Sequence, residues 1–105
     1  MYERRAFKMQ LYPGMVKEYE KRHNEIWPEL VKLLKDNGIS EYSIFYDEET
    51  HILFGFQKQA GEQGSQELGA LEIVKKWWAH MADMYETHPD NSPVTKPLTE
   101  VFYME

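Results

Sequence analysis

The chain contains no cysteine in its 105 residues, which excludes disulfides, thiol nucleophiles and thiolate-bound zinc. It has no basic block, since 12 Lys and Arg stand against 18 Asp and Glu for a formal charge of −6. Nucleic acid needs cationic side chains to neutralise its phosphates, so that balance argues for no nucleic-acid partner. No apolar run approaches the roughly 18 residues of a membrane span, and no basic-then-apolar leader opens the chain. There is no nucleophile elbow or P-loop, and Gly61-Glu62-Gln63-Gly64 has neither the spacing nor the context of a dinucleotide fingerprint. The expectation is a soluble, cytoplasmic protein with no membrane partner, folded as a single domain over residues 1–105.

What is present is apolar and aromatic, at 42% and 14% of the chain, enough for one core. Arg5 to Leu11 alternates with period two, placing Phe7, Met9 and Leu11 on one side and Ala6, Lys8 and Gln10 on the other, the pattern of a strand. Pro13-Gly14 ends it. From Met15 to about Lys35 the spacing of Met15, Tyr19, Ile26, Leu30, Leu33 and Leu34 is helical, and Asn37-Gly38 supplies a stop. Pro28 lies inside that run and leaves the Asn24 carbonyl without its partner, so a kink or break is expected one turn beyond His23. Tyr42–Tyr46 and Ile52–Gln57 read as a hairpin. A glycine-punctuated stretch at Gly61–Gly64 leads to a second helix, with apolar positions from Leu68 to Met84. A proline-rich loop from Thr87 to Pro97 and a last strand at Thr99–Met104 complete the order β-α-β-β-α-β.

Two right-handed crossovers of that order build an α+β protein, an antiparallel sheet with two helices on one face. The strands nevertheless carry large apolar residues on both sides, Phe45, Phe54, Phe56 and Phe102 among them. Helices cover one face only, so the remaining surface should line a cavity and pair with a second copy as a homodimer.

Tyr19 and His23, four residues apart, project from one helix face. Histidine both gives and takes a proton near neutral pH, and Tyr19, Asn24 and Trp27 around it describe a small polar pocket. His51, His80 and His88 have weaker settings, and no His-x-x-x-His pair occurs, so no metal site is expected. Trp77 and Trp78 diverge by about 100° on a helix, so one is expected in the core and the other towards the sheet edge or a cavity mouth. Indole faces pack against the C–H faces of pyranose sugars. Tyr42 opens the second strand, where its hydroxyl could reach a ligand. On residues alone the reading ends at a His/Tyr/Trp pocket for a small neutral ligand.

The chain resembles the L-rhamnose mutarotase family. The resemblance rests on Arg5-Ala6-Phe7, Tyr19, Arg22-His23-Asn24, Ile26-Trp27-Pro28-Glu29-Leu30, Tyr42, Trp77-Trp78, Pro89-Asp90-Asn91-Ser92-Pro93 and Glu100-Val101-Phe102-Tyr103, which run in order along nearly the whole chain. It implies a ferredoxin-like βαββαβ fold, a homodimer of the dimeric α+β barrel type, and interconversion of the α and β anomers of L-rhamnose without a cofactor, in rhamnose catabolism. It further implies His23 as the catalytic proton donor and Tyr19, Tyr42, Trp77 and Trp78 as sugar contacts. Lys76, where arginine is expected, and His80, where a phenol is expected, depart from the family pattern. Two competing readings are a haem-binding or monooxygenase protein of the same architecture, with His23 as axial ligand, and a non-catalytic sugar-binding module.

Overall fold

The computed structural model describes residues 2–60 and 68–105, so the glycine-punctuated stretch at Gly61–Gly64 lies outside the described residues. The elements run β1 (Glu3–Gln10), α1 (Val16–Asn24), α2 (Pro28–Asp36), β2 (Ile39–Asp47), β3 (Ile52–Gln59), α3 (Glu72–Met81) and β4 (Thr95–Leu98). The strands form one sheet in the order β2-β3-β1-β4, and every neighbouring pair is antiparallel. This is the ferredoxin-like arrangement.

The long helical run is two helices rather than one. Trp27 precedes a proline and is held extended, at φ −65° and ψ 128°, as clash with the pyrrolidine ring demands. Pro28 then sits at the first position of α2, where its missing N–H costs nothing. The Trp27 carbonyl accepts from Leu30 and Val31 at 3.0 and 3.1 Å and starts the new helix. Asn37 ends it by donating from both its backbone and its side chain to the Leu33 carbonyl, at 3.0 and 2.8 Å. Gly38 follows with φ 83°, a conformation glycine takes without strain.

Two further boundaries differ from the sequence reading. α3 spans Glu72–Met81, yet Leu68 and Met84, outside it, are buried all the same. Their apolar character reports the core and not the helix. The last strand is Thr95–Leu98 and not Thr99–Met104, whose alternating residues lie beyond the sheet with Val101 and Phe102 exposed. Pro97 disguised the true strand. It is tolerated because β4 is an edge strand, paired among the described residues only with Ala6–Met9 of β1. The segment after it is tethered to β1, where the Arg4 guanidinium donates to both Glu100 carboxylate oxygens and lies 3.3 Å from the centre of the Tyr103 ring.

Residues paired across antiparallel strands share a face. Phe7 and Met9 of β1 therefore point the same way as Gly55 and Leu53 of β3. These side chains form the core with Leu30 of α2 and Val74, Trp77, Trp78 and Met81 of α3. Burying each large apolar side chain of this kind is worth about 1.5–3 kcal/mol. The opposite face carries Phe45, Phe54, Phe56 and Ala6. Phe45 and Phe56 meet edge to face at 5.7 Å and are exposed, so among the described residues no helix lies over this face.

Gly55 marks where the core is tightest, because a β-carbon there would overlap Phe7 Cζ and lie 2.7 and 2.8 Å from Cε1 and Cε2. Gly55→Ala should therefore destabilise the fold by about 1–3 kcal/mol. Urea unfolding of Gly55→Ala, Phe7→Leu and the double variant should show a combined loss smaller than the sum. Additive losses would mean the two residues do not press on each other.

Candidate active site

A cavity of about 510 Å³ lies between the helices and the inner face of β2 and β3, within the range of roughly 300–1,000 Å³ common to small-molecule sites. Tyr19, His23, Tyr42, Trp77 and Trp78 all lie on its wall. Tyr19 and His23, one turn apart on α1, stack with ring centres 4.3 Å apart and planes at 33°. Trp77 of α3 meets the imidazole edge-on at 5.6 Å. Tyr42 of β2 stands edge to face with Phe7 at 6.3 Å.

The tryptophan pair does not divide between core and rim. Both side chains are buried and both line the cavity. Trp78 is seated by Gly69, where a β-carbon would come within 2.5 and 2.8 Å of its Cζ3 and Cη2. Trp27 stays off the wall and backs Trp77 at 5.1 Å, with the His80 ring against both indoles.

His23 Nδ1 lies 3.1 Å from the Tyr19 carbonyl. A carbonyl only accepts, so Nδ1 carries the hydrogen and Nε2 is the nitrogen that titrates. Burial pushes the imidazole pKa below the ordinary 6.5, and the bond to the Tyr19 carbonyl opposes this in part. Burial also drives the Tyr19 phenol well above its ordinary value, with Tyr42 and Tyr85 adding to the effect, so Tyr19 stays protonated. Next to His23, Arg22 ties the last turn of α1 to the end of α3. Its Nη1 donates to the His80 carbonyl and to Asp83, both at 2.7 Å, while its Nε donates to Glu18 at 2.9 Å. Asp83 is mostly exposed, which screens the charge interaction to about 1 kcal/mol, so the contribution of this clamp is positional.

The family model for L-rhamnose mutarotase matches residues 4–104. The chain belongs to the L-rhamnose mutarotase family. It is 63% identical over 103 residues to the L-rhamnose mutarotase of Bacteroides thetaiotaomicron, covering 98% of this chain and 99% of that one. It is likewise 63% identical over 103 residues to the L-rhamnose mutarotase of Formosa agariphila. A crystal structure of L-rhamnose mutarotase from Formosa agariphila superposes with a TM-score of 0.91 at 60% identity, covering 98% of this chain and 99% of that one.

For a mutarotase-family chain, the structure adds wall residues that sequence spacing did not single out as contacts. Tyr85, Pro93 and Met81 line the cavity. Pro93 is delivered by the Pro-Asp-Asn-Ser-Pro segment, where the Asp90 carboxylate accepts from the Ser92 backbone at 3.0 Å and Asn91 takes φ 71°. The turn is closed by His88 N–H donating to the Ser92 carbonyl at 2.8 Å. A composition signal for this existed, since Asp, Asn and Ser cluster between two prolines. Tyr85 had no such signal, because it follows the helix and is placed by pairing with Leu11.

The lowered His23 pKa has a consequence for stability. The unfolded chain protonates this residue at the ordinary 6.5, the folded chain only at lower pH. The contribution of neutral His23 is thus complete above 6.5 and lost as pH falls through the folded value. His23→Gln should lose less stability than wild type between pH 7 and pH 5 by denaturant titration. Parallel curves would show that the imidazole is not desolvated.

Proposed function

We propose that this cavity interconverts the α and β anomers of L-rhamnopyranose, with His23 as proton donor to the ring oxygen and Tyr19, Tyr42, Trp77 and Trp78 holding the sugar. The observation that carries this reading is an imidazole in a family-member cavity, oriented through Nδ1, with Nε2 left to exchange protons between a phenol and an indole.

Mutarotation takes a proton from the anomeric hydroxyl, breaks the bond from C1 to the ring oxygen, and gives that oxygen a proton. The open-chain aldehyde rotates about C1–C2, and closure on the other face runs the transfers backwards. A group that titrates near neutrality serves both directions. His23 delivers the proton to the ring oxygen. Tyr19 is unsuited to take the anomeric proton, because a phenol that burial keeps protonated is a donor. The anomeric proton passes to water or to Glu20 or Glu41, the carboxylates on the wall among the described residues. The indoles of Trp77 and Trp78 offer apolar faces to the methyl group and C–H edges of a 6-deoxy sugar.

Saturation-transfer proton NMR, irradiating one anomeric proton of L-rhamnose and following the other, should show exchange with wild type and a loss of about 100-fold or more with His23→Ala. Unchanged exchange in the variant would remove His23 from the mechanism. Binding without exchange in wild type would make the protein a sugar-binding module. Because the active donor is the imidazolium, kcat/KM should fall about tenfold per pH unit above the lowered His23 pKa and level off below it. A rise with pH instead would assign the residue as base.

The same reading includes a homodimer and a cytoplasmic setting. Among the described residues no helix is long and apolar enough to cross a membrane. The uncovered sheet face, with Phe45 and Phe56 exposed beside a segment carrying Val101 and Phe102, supports pairing with a second copy. Phe45→Asp should halve the mass seen by light scattering while leaving the circular dichroism intact. A mass unchanged by the substitution would place association elsewhere.

A further inference from the structure

We propose that Tyr85 is a substrate-contacting residue, donating a hydrogen bond to a hydroxyl on the C3–C4 edge of the sugar and so helping to set which sugars are held. The inference rests on the proposed reaction and extends its site to a residue that neither the helix spacing nor the family motifs single out.

The backbone aims this side chain rigidly. Leu11 and Tyr85 form an antiparallel bridge, the Tyr12 N–H donates to the Met84 carbonyl at 2.8 Å, and the Glu86 N–H donates to the Gln10 carbonyl at 3.2 Å. Tyr85 is thereby fastened to the end of β1 on both sides. Only 3% of it is exposed, yet it lies on the cavity wall.

Buried phenols normally find a hydrogen-bond partner. The Tyr85 hydroxyl has none among the described residues. Its oxygen is not sealed inside the protein, unlike the unpartnered Oε1 of Gln57. A hydroxyl that is neither paired nor walled in, on the wall of a largely apolar cavity, faces whatever fills that cavity. Burial, with Tyr42 and Asp83 nearby, holds the phenol far above its ordinary pKa, so it offers a proton at every working pH.

The order of rings along the wall places the contact. Trp77 meets His23, His23 stacks on Tyr19, and Tyr19 meets Tyr85 edge to face at 6.2 Å and 69°. Tyr85 is thus separated from His23 by the Tyr19 ring. With His23 at the ring oxygen, the opposite side of a pyranose is C3, flanked by C4. An interaction there is made equally in the ground state and the transition state, and its loss raises KM without lowering kcat.

The test is Tyr85→Phe, which keeps the ring and removes only the hydroxyl, assayed by saturation transfer on L-rhamnose and its 3-deoxy and 4-deoxy analogues. The expected result is a KM raised about three- to tenfold, as for one neutral hydrogen bond, with kcat within about twofold and no loss of thermal stability. One deoxy analogue should be handicapped against L-rhamnose in wild type and not in the variant, which identifies the contacted hydroxyl. An unchanged KM, or discrimination that survives the substitution for both analogues, would reduce Tyr85 to packing. A fall in kcat at constant KM would move it into the chemistry and overturn the proposal as stated. Calorimetric Kd values for the same sugars carry the comparison if wild type shows no His23-dependent exchange, so failure of the reaction assignment and failure of the Tyr85 contact remain distinct.

Discussion

Pro28 has no N–H to carry α1 onward, and the position of the site follows from that single missing donor. α1 must end within a turn of His23, and α2 restarts from an extended Trp27. Two short helices replace one long one, and the histidine stands in the last turn of the first. An uninterrupted helix would carry the Tyr19–His23 face and the Leu30 face along one rod. Across the break, Leu30 of α2 and Tyr19 of α1 both join the core and, with His23, line the cavity. Arg22 then fixes the loose end, bonding the final turn of α1 to the His80 carbonyl and Asp83 where α3 finishes. The imidazole and the indole of Trp77 are therefore set by one proline and one guanidinium.

The cavity departs from the packing that a protein interior otherwise favours. Gly55 under Phe7 and Gly69 under Trp78 show backbone pressed against rings as closely as sterics permit. On the same cavity wall as Trp78, the phenols of Tyr19 and Tyr85 are brought into the interior beside an open volume. Close packing on one side of an aromatic wall makes it rigid enough to present polar groups on the other. The desolvation that lowers the His23 pKa and raises those of Tyr19 and Tyr85 is one environment acting on groups of opposite charge type.

How much of this was readable in the sequence varied with the range of the interaction. Tyr19 and His23 were legible as neighbours because a helix fixes residues four apart, whatever surrounds it. The break at Pro28 was legible for the same local reason. The ends of α3 were not, since Leu68 and Met84 are apolar for the core and fall outside the helix. The last strand was misplaced because Glu100–Met104 imitates strand alternation while Pro97 hides a real edge strand. At the site, the divergence expected of Trp77 and Trp78 holds on the helix but not in the fold, where sheet and cavity wrap far enough to bury both. Tyr85 and Pro93 enter through pairing with Leu11 and Thr87, a long-range or loop-level fact with no signature in local spacing.

The edge strand that the proline disguised governs how copies of the molecule can meet. β4 is only four residues long, and two of them are Lys96 and Pro97. A short edge bearing a charge and a residue without an N–H is a poor template for another strand. Growth of the sheet sideways, chain upon chain, is discouraged at that margin, while the broad apolar face beside it is left open.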